Sequence, residues 1–370
     1  MRALRDLEKF ARLIVDYSTG ISKGDEVVIR FGIEALPFVR TLVKIIVERG
    51  GYPRLELFDE ESQEIFYKYA PRETLEYLSP IDKTIYEKMN ALINVLSYSH
   101  AKYLIGVDPE RIKIRNAATR ELSEIFMKRD GEGSLKWTVT IYPTRALAQE
   151  AGMSILDYED FVYRALKLYR EDPISAWRDI GAKQERLAEK LSKMSELRIL
   201  DSDTDLTLSV AGRTWINDDG KKNMPGGELF TGPIEESVEG RIAFTYPSIW
   251  RGYEVEGVRL VFRKGEVVEA SATKGENLLK KILEVDEGAR RVGEFAFGLN
   301  YDINKFTKQI LLDEKIGGTI HLALGSGYIT TGSKNKSAIH WDMIKDMSKA
   351  KVYGDKELIY ENGKFLWEVL

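Results

Sequence analysis

Val27-Val28-Ile29-Arg30-Phe31 reads as a β-strand, and the two segments after it decide the fold. A helical stretch over residues 34–49 ends at Gly50-Gly51, and a second strand occupies 54–58. Strand, helix and strand in that length make a βαβ unit, which implies a parallel sheet with a right-handed crossover. Upstream, an amphipathic helix over about residues 3–17 places Leu4, Leu7, Phe10, Leu13 and Ile14 on its buried face. Downstream, the apolar strands 91–96 and 137–142 extend the sheet.

A long charged helical region, roughly 158–196, leads into a different texture. From about residue 197 the chain becomes short alternating strands. Val258-Arg259-Leu260-Val261-Phe262, a turn through Lys264-Gly265, and 267–272 form one hairpin. Leu358-Ile359-Tyr360, Glu361-Asn362-Gly363 and Lys364-Phe365-Leu366-Trp367 form another, with Asn-Gly as its turn dipeptide. The boundary falls near 185–197, giving an α/β domain with a mainly parallel sheet over 1–190 and a β-rich α+β domain over 191–370.

A length of 370 residues suits two such domains, and 43% hydrophobic residues suffice to fill their cores. The net charge of −4 predicts no nucleic-acid partner. With no cysteine, disulfides and thiolate metal sites are excluded, so a metal would have to use histidine and carboxylates. The start, Met1-Arg2-Ala3-Leu4-Arg5-Asp6, is too charged for a signal peptide, and no apolar run approaches a membrane span of about 18 residues. The expectation is a cytoplasmic protein without membrane partner. Absent cysteine and abundant Lys, Arg and Glu fit a thermophile.

Histidine is the informative scarcity: there are three, and His321 and His340 lie close together near the C-terminus. His340 opens His340-Trp341-Asp342. In a strand, His340 and Asp342 point the same way about 7 Å apart, with Trp341 turned into the opposite layer. An imidazole and a carboxylate so placed can converge on one borderline divalent metal such as zinc. Three glutamates keep similar company. Glu228 follows Pro225-Gly226-Gly227, Glu294 lies within Gly293-Glu294-Phe295-Ala296-Phe297-Gly298, and Glu314 precedes His321 by seven residues. Acids in such apolar surroundings cost several kcal/mol if unpaired, so something positive should sit beside them. Tyr328 brings a phenol seven residues beyond His321. Taken singly, a glutamate after a turn is ordinarily solvated, a lone histidine is ordinarily core, and Tyr328 ordinarily packs. His100, with no acidic neighbours, reads as structural. Neither a phosphate-binding glycine loop nor a Gly-x-Ser-x-Gly elbow occurs. The case for a site is the ensemble, four acid and histidine segments within 115 residues.

Those segments resemble a family. Residues 224–233, 293–300, 313–325 and 337–342, in that order, are similar to the signature segments of the thermophilic metalloaminopeptidases of the aminopeptidase T and aminopeptidase S type. Lys23-Gly24-Asp25-Glu26-Val27-Val28-Ile29 and Asp172-Pro173-Ile174-Ser175-Ala176-Trp177 resemble its first-domain landmarks, so the likeness runs nearly end to end. The interval between Tyr328 and His340 is shorter than the family pattern. Residue by residue, the resemblance implies two divalent metal ions per chain (Zn, Co, Mn or Mg) held by Glu228, Glu294, Glu314, His321, His340 and Asp342. It makes Glu294 the bridging carboxylate and puts Tyr328 at the catalytic tyrosine. It also implies a homodimer whose active sites face an internal cavity.

The expected function is metal-dependent removal of N-terminal residues from peptides with a free N-terminus. Paired cations would activate water, Tyr328 would stabilise the oxyanion, and a glutamate would carry the proton. Glu228 and Glu294 are the catalytic carboxylate candidates. Two readings stand beside it: another two-metal amidohydrolase or dipeptidase, and a metal-stabilised binding protein without turnover.

Overall fold

The helix Leu36–Glu48 carries Phe38, Val39, Leu42, Ile45 and Ile46 as one buried stripe at helical spacing. It stops where Gly50 N donates to Val47 O at 2.9 Å and Gly51 N to Ile46 O at 3.0 Å, a Schellman end. That end needs the left-handed backbone of Gly50, φ +80°. The chain then returns as the strand Tyr52–Phe58, parallel to Glu26–Gly32 in register Glu26 to Tyr52. This is the expected βαβ unit.

The computed structural model describes residues 2–367 in two units. The first comprises residues 1–174 and 221–225. Its parallel sheet has the order 52–58, 26–32, 91–96, 136–141, 223–224. The first helix spans Arg2–Arg12 and widens into a π-helical turn over Leu13–Ser18. Leu7, Phe10, Leu13 and Ile14 are buried, and Phe10 stacks on Phe38 at 4.1 Å; the Leu4 side chain lies outside the described residues. The helical region expected over 158–196 is two helices, Ile155–Ala165 and Pro173–Leu191, and the chain is already a strand at Glu196–Asp201. Pro173, pre-set for a first helical turn and unable to serve within one, separates them.

The second unit comprises residues 175–220 and 226–370. It holds an eight-stranded antiparallel sheet in the order 266–271, 259–263, 239–243, 204–209, 196–201, 351–354, 357–361, 364–365. A five-stranded antiparallel sheet has the order 340–346, 319–325, 292–298, 228–231, 216–218. Both expected hairpins are present, Arg259–Arg263 with Glu266–Ser271 and Glu357–Glu361 with Lys364–Phe365. One apolar cluster joins the inner faces, with Leu206, Phe262 and Val352 from the larger sheet and Phe295, Leu322 and Trp341 from the smaller. Among the described residues no helix is long and apolar enough to cross a membrane.

Candidate metal centre

Alternation on the five-stranded sheet sorts its side chains. Phe295, Phe297, Leu322, Leu324, Trp341 and Met343 enter the core, so the residues between them take the other face. There His321 stands opposite Ala296 and Asp342 opposite Ala323, and the two alanines leave space among the polar groups. One strand would not obey this pattern unaided. Val292 pairs with Leu324 and Glu294 with Ala323, which makes Gly293 the extra residue of a β-bulge. In a regular strand Val292 and Glu294 would share a face. The bulge sends Val292 to the core and Glu294 to the histidines.

Glu228 opens its strand after Pro225-Gly226-Gly227. Gly227 has φ +112°, and a Cβ on it would fall 2.7 Å from Cβ of Asn300. The glycine is therefore a steric requirement for bringing Glu228 in. Glu314 comes from outside the sheet, directly after the short helix Ile310–Asp313.

All six expected ligand residues converge. His321 is fully buried, with Nε2 3.1 Å from Glu294 Oε1 and 3.7 Å from Glu228 Oε2. His340 Nε2 lies 3.6 Å from both Glu294 Oε2 and Asp342 Oδ1. Glu294 thus turns one oxygen to each imidazole. Two sets of side chains offer ligand atoms within 4.8 Å of one another: Glu228, Glu314 and His321, and Glu294, His321 and Asp342. Trp341 points the opposite way, its Nε1 donating to Ile249 O at 3.1 Å.

Tyr328 lies beside this cluster, 43% exposed, with its ring 5.4 Å from those of both His340 and Phe230. His100 is exposed in a loop of the first unit. Two further residues belong to the cluster that sequence reading did not name. Lys315, fully buried, pairs with Glu314, with Glu228 at 3.3 Å and with Asp218 at 3.4 Å. The demand for a cation beside buried acids was legible, and Lys315 adjoins Glu314 in the chain. Asp218 gave no comparable signal, because Ile216-Asn217-Asp218-Asp219-Gly220 reads as an ordinary turn approach.

The electrostatics of the cluster express one shortage. Burial pushes Glu228 and Glu314 above the usual carboxylate range, although Lys315 opposes it. Burial likewise raises Asp218 to about 6, again against Lys315. Burial would lower His321, but its hydrogen bond to Glu294 and the charge of Glu228 prevail and push it up to about 9. His340 behaves alike, with burial outweighed by Asp342, and rises to about 10. Asp342 resists burial and falls, held down by His340. Tyr328 rises, from burial first and then the charge of Glu294. Asp218, Glu228 and Glu314 shifted upward together with both imidazoles describe a site that lacks positive charge.

Divalent cations fit that shortage. Glu228 Oε2, Asp342 Oδ1 and His321 Nδ1 are buried without hydrogen-bond partners, which is costly unless something else satisfies them. The donor set of carboxylate oxygens and imidazole nitrogens suits zinc, cobalt, manganese or magnesium.

The comparisons with known proteins agree with this chemistry. The profile described as "Thermophilic metalloprotease (M29)" matches residues 4–365. Aminopeptidase AmpS of Bacillus subtilis (strain 168) is 28% identical over 97% of this chain and 98% of its own. Aminopeptidase T of Thermus thermophilus is also 28% identical, over 97% of this chain and 96% of its own. The solved structure of wild-type AmpT from Thermus thermophilus superposes with a TM-score of 0.85 at 26% identity, covering 98% of this chain and 99% of that one.

Proposed function

The chain belongs to the thermophilic metalloprotease (M29) family, and from that premise we propose that it is a metal-dependent aminopeptidase working with two divalent ions. Glu228, Glu294, Glu314, His321, His340 and Asp342 hold them in this reading. In this reading Glu294 would be the carboxylate shared by the two ions, since its two oxygens face different imidazoles. The observation that carries the reading is the convergence of five of these side chains in two ligand sets, with His340 3.6 Å from Glu294 and Asp342, around oxygens of Glu228 and Asp342 that are buried without a hydrogen-bond partner. When bound, such ions supply Lewis acidity, polarising a carbonyl oxygen and acidifying water.

The protein's own groups do the rest. Tyr328, a phenol protonated at neutral pH, donates its hydroxyl hydrogen bond to the oxyanion that forms at the scissile carbonyl in this reading. Glu228 or Glu294 carries the proton to the leaving amine. In this reading a free α-amine of the substrate binds a carboxylate or a metal ion of the centre, which would favour cleavage at the N-terminus over cleavage within a chain. A cytoplasmic homodimer is part of the same proposal, and sedimentation of the metal-loaded protein tests the assembly.

Peptides with free and with acetylated N-termini, offered to metal-free and metal-loaded protein, test the activity. Cleavage of the free-amine peptide alone, and only with metal, is the expected result. Cleavage of the blocked peptide would make the protein a broader amidohydrolase. Metal binding without turnover would make it a binding protein.

A further inference from the structure

We propose that Lys315 is a fixed counter-cation of the metal centre, a positioning residue that sets Glu228 and Glu314 in their ligand places. The inference depends on the ligand assignment proposed above and adds to it a residue that ligates nothing.

The sheet itself creates the need. In the pairing of Ile216–Asp218 with Glu228–Thr231, Asp218 falls directly opposite Glu228. Like charges in that relation repel, and here both are buried. Lys315 Nζ lies between them, 3.4 Å from Asp218 Oδ2 and 3.3 Å from Glu228 Oε1, and it also pairs with Glu314. Of the ammonium's three N–H donors, one is hydrogen-bonded to Glu314, while Asp218 and Glu228 are held at ion-pair distance and Asp218 Oδ2 makes no hydrogen bond.

The ion pair with Glu228 has a directional consequence. Lys315 engages Oε1 of Glu228, while Oε2, turned toward His321, has no hydrogen-bond partner. The lysine therefore selects which oxygen Glu228 presents to the histidine side. Its own placement is equally determined. Lys315 N donates to Leu312 O at 3.1 Å, and Lys315 O accepts from Asn300 N at 3.0 Å. Asn300 Nδ2 in turn donates to Gly226 O at 3.1 Å, in the loop that delivers Glu228. One short network thus connects the lysine to the backbone on both sides of the carboxylates it orients.

Charge closes the argument. Asp218, Glu228, Glu294, Glu314 and Asp342 are five carboxylates, and Lys315 offsets one of them. What remains is the charge of two divalent cations. Asp218 stands outside both candidate ligand sets, so its part is to anchor the lysine.

The test is metal binding by Lys315→Met and Asp218→Asn, each compared with wild type. Zinc titration calorimetry, elemental analysis and the visible spectrum of the cobalt-loaded protein are the readouts. Lys315→Met should bind one ion, the one beside His340 and Asp342, normally and the other at least about tenfold more weakly, with an altered cobalt spectrum. If Lys315→Met does not fold, Asp218→Asn carries the test. It keeps the lysine but removes one of its three anchors, and it should also weaken one ion by about tenfold or more. A purely structural lysine would change melting temperature and leave affinities and spectrum unmoved, and that result overturns the proposal. Wild type separates the two levels of inference: if it takes up no divalent metal, the ligand assignment itself falls. If wild type binds two ions and the folded variants bind both unchanged, only the role of Lys315 falls.

Discussion

Nδ1 of His340 lies 2.8 Å from the backbone carbonyl oxygen of Ser326. A carbonyl only accepts, so the nitrogen facing it carries the proton, and Nε2 is left to the carboxylates of Glu294 and Asp342. A histidine that ligates a metal through one nitrogen and donates from the other to a carbonyl has its tautomer and ring orientation fixed.

His340→Ala and Asp342→Ala should each remove most of the metal from one position and leave the fold intact. The core on that strand comes from Trp341 and Met343, which face the other way, so neither substitution opens an apolar cavity. Elemental analysis beside far-ultraviolet circular dichroism checks both halves. Unchanged metal content in both variants would return the pair to a structural role.

Chelation should abolish peptide hydrolysis, and zinc, cobalt or manganese should restore it. It should also lower the melting temperature, because the buried carboxylates of Glu228 and Glu294 then lose their cations. An ion bound only by the folded state at about 1,000 times its Kd adds about 4 kcal/mol. Calorimetry with and without metal measures the shift. Full activity in protein shown by elemental analysis to be metal-free would rule the mechanism out.

The architecture was legible wherever a local pattern had a local cause. Val27 to Phe31, the helix ending at Gly50-Gly51 and the strand after it announced the parallel sheet. His340-Trp341-Asp342 announced a strand with two polar residues on one face, because a period of two needs no tertiary information. The bulge at Gly293 was not legible. Which residue is extra depends on the partner strand, and a shift of one residue would have sent Glu294 to the core. Lys315 was legible as a requirement without an address. Asp218 was invisible, since its importance comes from its cross-strand position opposite Glu228.

Lys345 is buried on the core-facing side of the His340 strand and pairs with Asp201 at 2.9 Å. Burial alone would raise Asp201, but the hydrogen bond from Lys345 prevails and holds it below its ordinary 3.8. A depressed carboxylate pKa contributes stability that is present above the unfolded value and lost as pH falls through the folded one. The stability difference between wild type and Lys345→Met, both metal-free, should therefore be larger at about pH 7 than at about pH 3. Urea denaturation at the two pH values measures it. A difference that does not shrink on acidification would mean that Lys345 acts through packing alone.

Tyr328→Phe is the sharpest test of the catalytic reading. The phenol reaches the cluster from beyond the His321 strand, ahead of the short helix Ile329–Thr331, and its ring lies 5.4 Å from that of His340. Substitution keeps the ring, and hence its contact with Phe230, and removes only the hydroxyl. Packing and metal content should be untouched. If the hydroxyl stabilises the oxyanion, its effect is confined to the transition state. Then kcat should fall by about 10²–10³-fold while KM changes little. Steady-state kinetics on a free-amine peptide, with metal content measured on the same sample, separates the possibilities. A fall in kcat accompanied by metal loss would point to the centre, not the oxyanion. A kcat within a few-fold of wild type would leave Tyr328 a packing residue and require another donor for the oxyanion.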